Sequence, residues 1–63
     1  MLSYTIDEFC QRQRFSRSLY YKLERAGKGP RKMQLLGCVR ISEEAEREWV
    51  KAREAETLAE VAA

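Results

Sequence analysis

SRSLYYKLERAGKGPRKMQLLGCVRI, residues 16–41, decides the fold. Ser16 suits a helix N-cap, because its side-chain oxygen can accept from a backbone N–H of the first turn. At 100° per residue Leu19, Tyr20, Leu23 and Ala26 gather on one side of the helix that follows, and Arg17, Ser18, Tyr21, Lys22 and Arg25 occupy the other. Gly27 stands where a helix end wants a residue tolerant of positive φ, and Pro30 keeps the helix from resuming. After Pro30 the period becomes alternating. Met33 and Leu35 are expected on one side with Lys32 and Gln34 on the other, a turn at Leu36-Gly37, then Val39 and Ile41 inward and Cys38 and Arg40 outward. An isolated hairpin of this size is unstable in water. Met33, Leu35, Val39 and Ile41 are therefore expected to lie against the helices.

Working outward, Thr5-Ile6-Asp7-Glu8 fits a capping box, with Tyr4 and Phe9 in the positions of a hydrophobic staple. Ile6, Phe9, Cys10 and Gln13 follow helical spacing, so a first helix is expected to end near Gln13. Only Arg14 and Phe15 separate it from the second helix, a spacing that suits a helix-turn-helix. On the far side Ser42 caps a third helix, whose first turn carries Glu43, Glu44 and Glu46, the sign the helix dipole prefers. Ala45, Trp49 and Ala52 form its thin apolar stripe, and Glu43 with Arg47 is an i, i+4 pair. Past Arg53 the run EAETLAEVAA favours helix but has little to bury. The expectation is a domain over 1–53 and a helical extension or frayed tail over 54–63. The fold class is mainly α with a small β-hairpin, in the order α-α-β-β-α.

The 63 residues make one domain at most, since a chain of this length buries only about 60% of its unfolded surface. Two cysteines and no histidine leave too few ligands for a structural metal and too few thiols for a disulfide framework. Residues 1–15 lack the basic and long apolar segments of a secretion signal, and no apolar run approaches membrane-spanning length. A cytoplasmic, nucleoid-associated protein with reduced thiols, no membrane partner and no cofactor is expected. An enzyme is not: there is no histidine, no phosphate-binding glycine loop and no base to activate either thiol.

Charge is divided along the chain. Residues 1–42 carry nine Lys/Arg against three acids, a net +6, and residues 43–63 carry three against seven, a net −4. Such a basic front matches a polyanion-binding surface. On the outer side of the second helix Arg17 and Ser18 fall in the first turn, the part of a recognition helix that enters the major groove most deeply. Arg17 is the first choice for reading a guanine edge. Tyr21 can donate to a phosphate, and Lys22 and Arg25 suit the backbone. Lys28, Arg31, Lys32 and Arg40 surround the hairpin, where they can grip the minor groove or flanking phosphates.

These segments resemble the MerR-like winged-helix domain of small prophage and plasmid regulators and excisionases. The resemblance covers residues 4–50 and rests on YTIDEFC, FSRSLYYKLERAG, GPRKMQLLGCVRIS and Trp49. It implies binding of double-stranded DNA, the second helix in the major groove and the hairpin, as a wing, on adjacent backbone or minor groove. Arg17, Tyr21 and Lys22 would then lie on the DNA, with Arg40 in the wing. Implied partners are further copies on adjacent sites and a recombinase or RNA polymerase. Three positions depart from the family pattern. Arg14 replaces the usual Gly of the inter-helix turn, at a cost of roughly 1 kcal/mol if left-handed, and it could offset this by reaching a phosphate. Arg12 and Gln13 stand where the family is apolar, and Glu46 stands where the third helix would carry a large aliphatic. The competing function is a protein-interaction module that uses Tyr20, Tyr21 and Trp49 without touching DNA.

Overall fold

In the computed structural model, which describes residues 2–62, helix α1 (Ile6–Gln13) starts on a complete capping box. The Glu8 N–H donates to Thr5 Oγ1 at 3.0 Å and the Thr5 N–H donates to Glu8 Oε1 at 2.8 Å. The same bonds hold the Glu8 carboxyl below its ordinary value. Helix α2 (Arg17–Arg25) starts on Ser16, whose hydroxyl accepts from the Leu19 N–H at 3.2 Å.

Both helices stop by the same paired hydrogen bonds. At the end of α1 the Phe15 N–H reaches Cys10 O at 3.1 Å and the Arg14 N–H reaches Gln11 O at 3.2 Å. At the end of α2 the Lys28 N–H reaches Leu23 O at 2.8 Å and the Gly27 N–H reaches Glu24 O at 3.0 Å. This Schellman geometry puts one residue in the left-handed region. Gly27 takes it at φ 75°, and Arg14 takes it at φ 59°, ψ 43°. The inter-helix turn is therefore left-handed at a residue with a Cβ.

The strands are β1 (Ser3–Tyr4), β2 (Met33–Leu35) and β3 (Cys38–Ser42), antiparallel in the order β1-β3-β2. The sequence pattern does not reveal β1, because two residues have no periodicity to read. It pairs Tyr4 with Ile41 and Ser3 with Ser42, which makes β3 the central strand. The hairpin also departs from expectation. Its register sets Met33 opposite Arg40, Gln34 opposite Val39 and Leu35 opposite Cys38. Residues directly opposite one another share a face of the sheet. Val39 and Ile41 thus share the inner face with Gln34, while Met33 and Leu35 share the outer face with Cys38 and Arg40. The two-residue loop enforces this, since a slip of one residue exchanges the faces. Ile41 is buried completely, whereas Met33 and Leu35 are exposed.

Helix α3 (Glu43–Ala62) follows β3 directly, with Ser42 Oγ accepting from the Ala45 N–H at 3.0 Å. It runs unbroken past Arg53. The core consists of Phe9, Cys10, Tyr20, Ile41 and Ala45, with Ile6, Phe15 and Trp49 packed against it. Phe9 meets Phe15, Tyr20 and Trp49 edge-to-face at centroid distances of 6.0, 6.0 and 5.2 Å. Trp49 Nε1 donates to Lys28 O at 2.7 Å, and Arg53 Nη1 donates to the same carbonyl at 3.2 Å. These bonds tie α3 to the loop after α2. Leu19 and Ala26 are exposed, against expectation. The buried sector of α2 centres between Leu23 and Glu24 around Tyr20, so Leu19 and Ala26 fall on its flank. Ala52 likewise lies exposed beyond the end of the α3 stripe.

Arg12, Gln13 and Glu46, separate departures in the sequence, converge in space. Glu46 is buried, and it accepts from Arg12 Nη2 at 2.8 Å and from Gln13 Nε2 at 2.9 Å. The Arg12 guanidinium also lies 4.3 Å above the centre of the Tyr4 ring. A polar clasp replaces apolar packing between α1 and α3, and it satisfies the carboxylate that burial would otherwise penalise. No helix among the described residues is long and apolar enough to cross a membrane.

Two predictions follow from these contacts. Glu46→Ala should cost about 1–2 kcal/mol of stability, because it removes the bonds that Arg12 and Gln13 make across the seam between α1 and α3, while the half-exposed guanidinium regains water. Arg12 holds the Glu46 carboxyl below its ordinary value of 4.5, so the clasp contributes fully above that pH and fades as pH falls through the lowered value. Urea melts across pH should show the deficit of the variant shrinking in acid. Arg14→Gly should leave the thermal midpoint unchanged or raise it, since glycine removes a left-handed strain of roughly 1 kcal/mol at some cost in unfolded-chain entropy. A lowered midpoint in calorimetry would contradict it.

Candidate nucleic-acid interface

Helix α2 sorts its side chains sharply because its inner face is anchored by one residue. Tyr20 is buried, and its hydroxyl has no hydrogen-bond partner among the described residues. Burial, with the Glu24 carboxylate nearby, pushes that hydroxyl up to about 12. With Tyr20 fixed, Ser18, Tyr21, Lys22 and Arg25 lie roughly 100–160° away around the helix and must point to water, and Arg17, about 60° away, lies at the edge of that side. Arg17, Ser18, Tyr21, Lys22 and Arg25 are all exposed on that side. The Tyr21 ring stands edge-on to Tyr20 at 5.2 Å and 79°. That contact orients Tyr21 while leaving it 46% exposed.

The cations named from sequence divide into two groups. Arg17 pairs with Asp7 at 3.0 Å, Lys28 with Glu56 at 2.6 Å, Arg31 with Glu48 at 2.7 Å, and Lys32 with Glu24. Arg14, Lys22, Arg25 and Arg40 have no carboxylate partner among the described residues. Arg40 donates instead to Val39 O at 2.9 Å and is half-buried on the outer face of the hairpin. Arg14 is exposed at the left-handed turn beside α2.

The pairing changes what each cation can do. Arg17–Asp7 and Arg31–Glu48 are exposed pairs, worth about 0–1 kcal/mol. A phosphate can displace either carboxylate at little cost. Lys32–Glu24 is more enclosed and ties the base of the hairpin to α2. Lys28 is held twice, by its ammonium to Glu56 and by its carbonyl to α3. Lys28 and Lys32 thus fasten the hairpin base and are the least available of the named cations. Sequence position alone does not reveal this, since the partners lie 8 to 28 residues away.

The acidic third helix has a local role as well. Glu48 and Glu56 neutralise the loop after α2, so part of the basic front and the acidic helix balance within one chain. The aromatic set of the competing reading is dispersed. Tyr20 and Trp49 belong to the core assembly, and of the three only Tyr21 is displayed. Sequence reasoning placed Cys38 outward correctly but missed the exposure of Met33 and Leu35 on the same face, and of Leu36 at the tip. The two-residue loop and the pairing of 35 with 38 are the signals that could have located it.

Compared with family models, with characterised proteins and with solved structures, the chain matches none.

The thiols offer a check on this surface. Cys38 is exposed, whereas Cys10 is buried and its thiol is pushed up by that burial. A thiol reagent at neutral pH should label Cys38 in the native protein and Cys10 only as urea unfolds it. Mass spectrometry of timed, quenched samples reads both.

Proposed function

We propose that the chain binds double-stranded DNA sequence-specifically as a winged helix-turn-helix regulator of the prophage or plasmid type. In this reading α2 enters the major groove and the hairpin is the wing on flanking backbone or minor groove. The observation that carries it is the outer face of α2. Arg17, Ser18, Tyr21, Lys22 and Arg25 are exposed together, and Lys22 and Arg25 have no carboxylate partner among the described residues. Such a face has no role in the core, and its charge suits phosphate.

Each residue has a distinct task. Arg17, in the first turn, leaves Asp7 and reads a base edge. Ser18 and Tyr21 donate to phosphate oxygens, and Lys22 and Arg25 neutralise the backbone along the groove. Arg14 supplies a phosphate contact from the turn, and Arg40 one from the hairpin. Arg31 exchanges Glu48 for phosphate. Lys28 and Lys32 act mainly as the hinge pins of the hairpin base. Excisionase and transcription regulator share this contact set. The position of the natural site, at an attachment locus or at a promoter, separates them, and it also indicates whether a recombinase or RNA polymerase is the partner.

Selection of bound duplexes from a randomised pool, followed by fluorescence anisotropy, tests the proposal. With four to six cations on phosphates, log K should fall against log salt with a slope of roughly −4 to −5. Lys22→Ala should reduce that slope by about 1 at every sequence. Arg17→Ala should cost about 1–3 kcal/mol and relax preference at one base pair. A protein that retards no duplex at low salt is not a DNA-binding protein.

A further inference from the structure

The hairpin tip has a feature that neither the turn nor the core explains. Leu36 and Gly37 form a two-residue loop in which both φ angles are positive, 45° and 92°. Loops of this kind favour Asn-Gly, because asparagine tolerates the left-handed region and leucine does not. Leu36 occupies the strained position while its side chain is fully exposed, at 107% of the reference area. The fold gains nothing from a leucine here. A strained residue whose side chain is fully exposed among the described residues is a candidate for contact with something else.

The surroundings indicate which partner. Residues 33–39 carry no charge, the nearest charges along the chain are Arg31, Lys32 and Arg40, and no carboxylate occurs between Glu24 and Glu43. In the fold Lys32 is paired with Glu24 and Arg31 with Glu48, the latter in an exposed pair that a phosphate can displace. Arg40, opposite Met33 on the same outer face, has no carboxylate partner among the described residues, so the tip favours an anionic partner over a neutral or basic one, here the duplex of the reading above. The outer face beside the tip, Met33 and Leu35 with Cys38, is apolar too. In duplex DNA the apolar surfaces available to such a tip are the sugar walls of the minor groove and the faces of partly unstacked bases. Apolar side chains inserted at a base step, flanked by cations, are an established mode of minor-groove binding.

Resting on the DNA-binding reading above, we propose that Leu36 is a wedge that enters the minor groove and partly unstacks one base step, with Met33 and Leu35 against the sugar walls. The side chain supplies the apolar surface, fully exposed at the left-handed position of the loop. The step entered is a pyrimidine–purine step, the kind that unstacks most easily.

The test uses duplexes of about 30 base pairs, close to three turns of the major-groove repeat, enriched from the randomised pool. They carry 2-aminopurine in place of adenine at individual TpA steps. Binding of the parent protein should raise emission at one step. Leu36→Asn, which suits the loop better and keeps the hairpin folded, should lose that rise while still binding the duplex. Leu36→Met, which keeps an apolar side chain, should retain it. Binding by the parent without any rise, or an equal rise with Leu36→Asn, overturns the wedge and points to a protein as the occupant of the tip. If the pool yields no bound duplex, the DNA-binding reading fails and the wedge fails with it.

Discussion

The structure depends on one aromatic ring. Phe9 is fully buried and meets Phe15 from the inter-helix turn, Tyr20 from α2 and Trp49 from α3, all edge-to-face. Edge-to-face pairs contribute roughly 0.5–1.5 kcal/mol each beyond the area they bury. In a core of five buried side chains that is a large share of the cohesion. The cluster also sets geometry. With Phe9 and Tyr20 fixed, α2 can present only one face to water, and it is the face that carries Arg17, Tyr21, Lys22 and Arg25. The shape of the candidate interface is thus a consequence of how the core packs.

A core so small needs a supplement, and it is polar. Glu46 with Arg12 and Gln13 closes the seam between α1 and α3 where apolar side chains would do so in a larger domain. Taken one at a time, each of these residues weakens an apolar contact. Together they form a satisfied network, which requires all three to be present with matching reach. Tyr4 completes it by lying beneath the Arg12 guanidinium, and β1 holds Tyr4 in place by pairing it with Ile41. The two-residue strand therefore serves the clasp as well as the sheet.

Among the described residues two with side chains sit in the left-handed region, and they differ in what surrounds them. Arg14 ends α1 in the geometry that Gly27 uses to end α2, and its backbone N–H serves the stop. Leu36 closes the hairpin with no contact for its side chain. The first position is needed for the chain to turn between the helices. The second needs only a residue that tolerates the angle, so the choice of leucine points outward.

Local chemistry alone determined much of this. Thr5 and Glu8, Ser16, Gly27 and Ser42 each mark an element boundary through a bond to a residue within a few positions, so their roles are legible in the string. The outer face of α2 is legible for the same reason, because helical period is a local property. Only the tertiary structure decided the rest. β1 was hidden because strand pairing of two residues depends on a partner 37 to 39 positions away. The faces of β3 were read correctly and those of β2 were exchanged, because alternation gives the spacing of in and out along each strand but not how the two strands match. That match is set by the number of residues in the loop. Which cations stay free could not be read either, since Glu24, Glu48 and Glu56 find Lys32, Arg31 and Lys28 only after the helices have packed. Periodicity reports what each residue does to its neighbours along the chain, and charge pairing reports what the fold brings together.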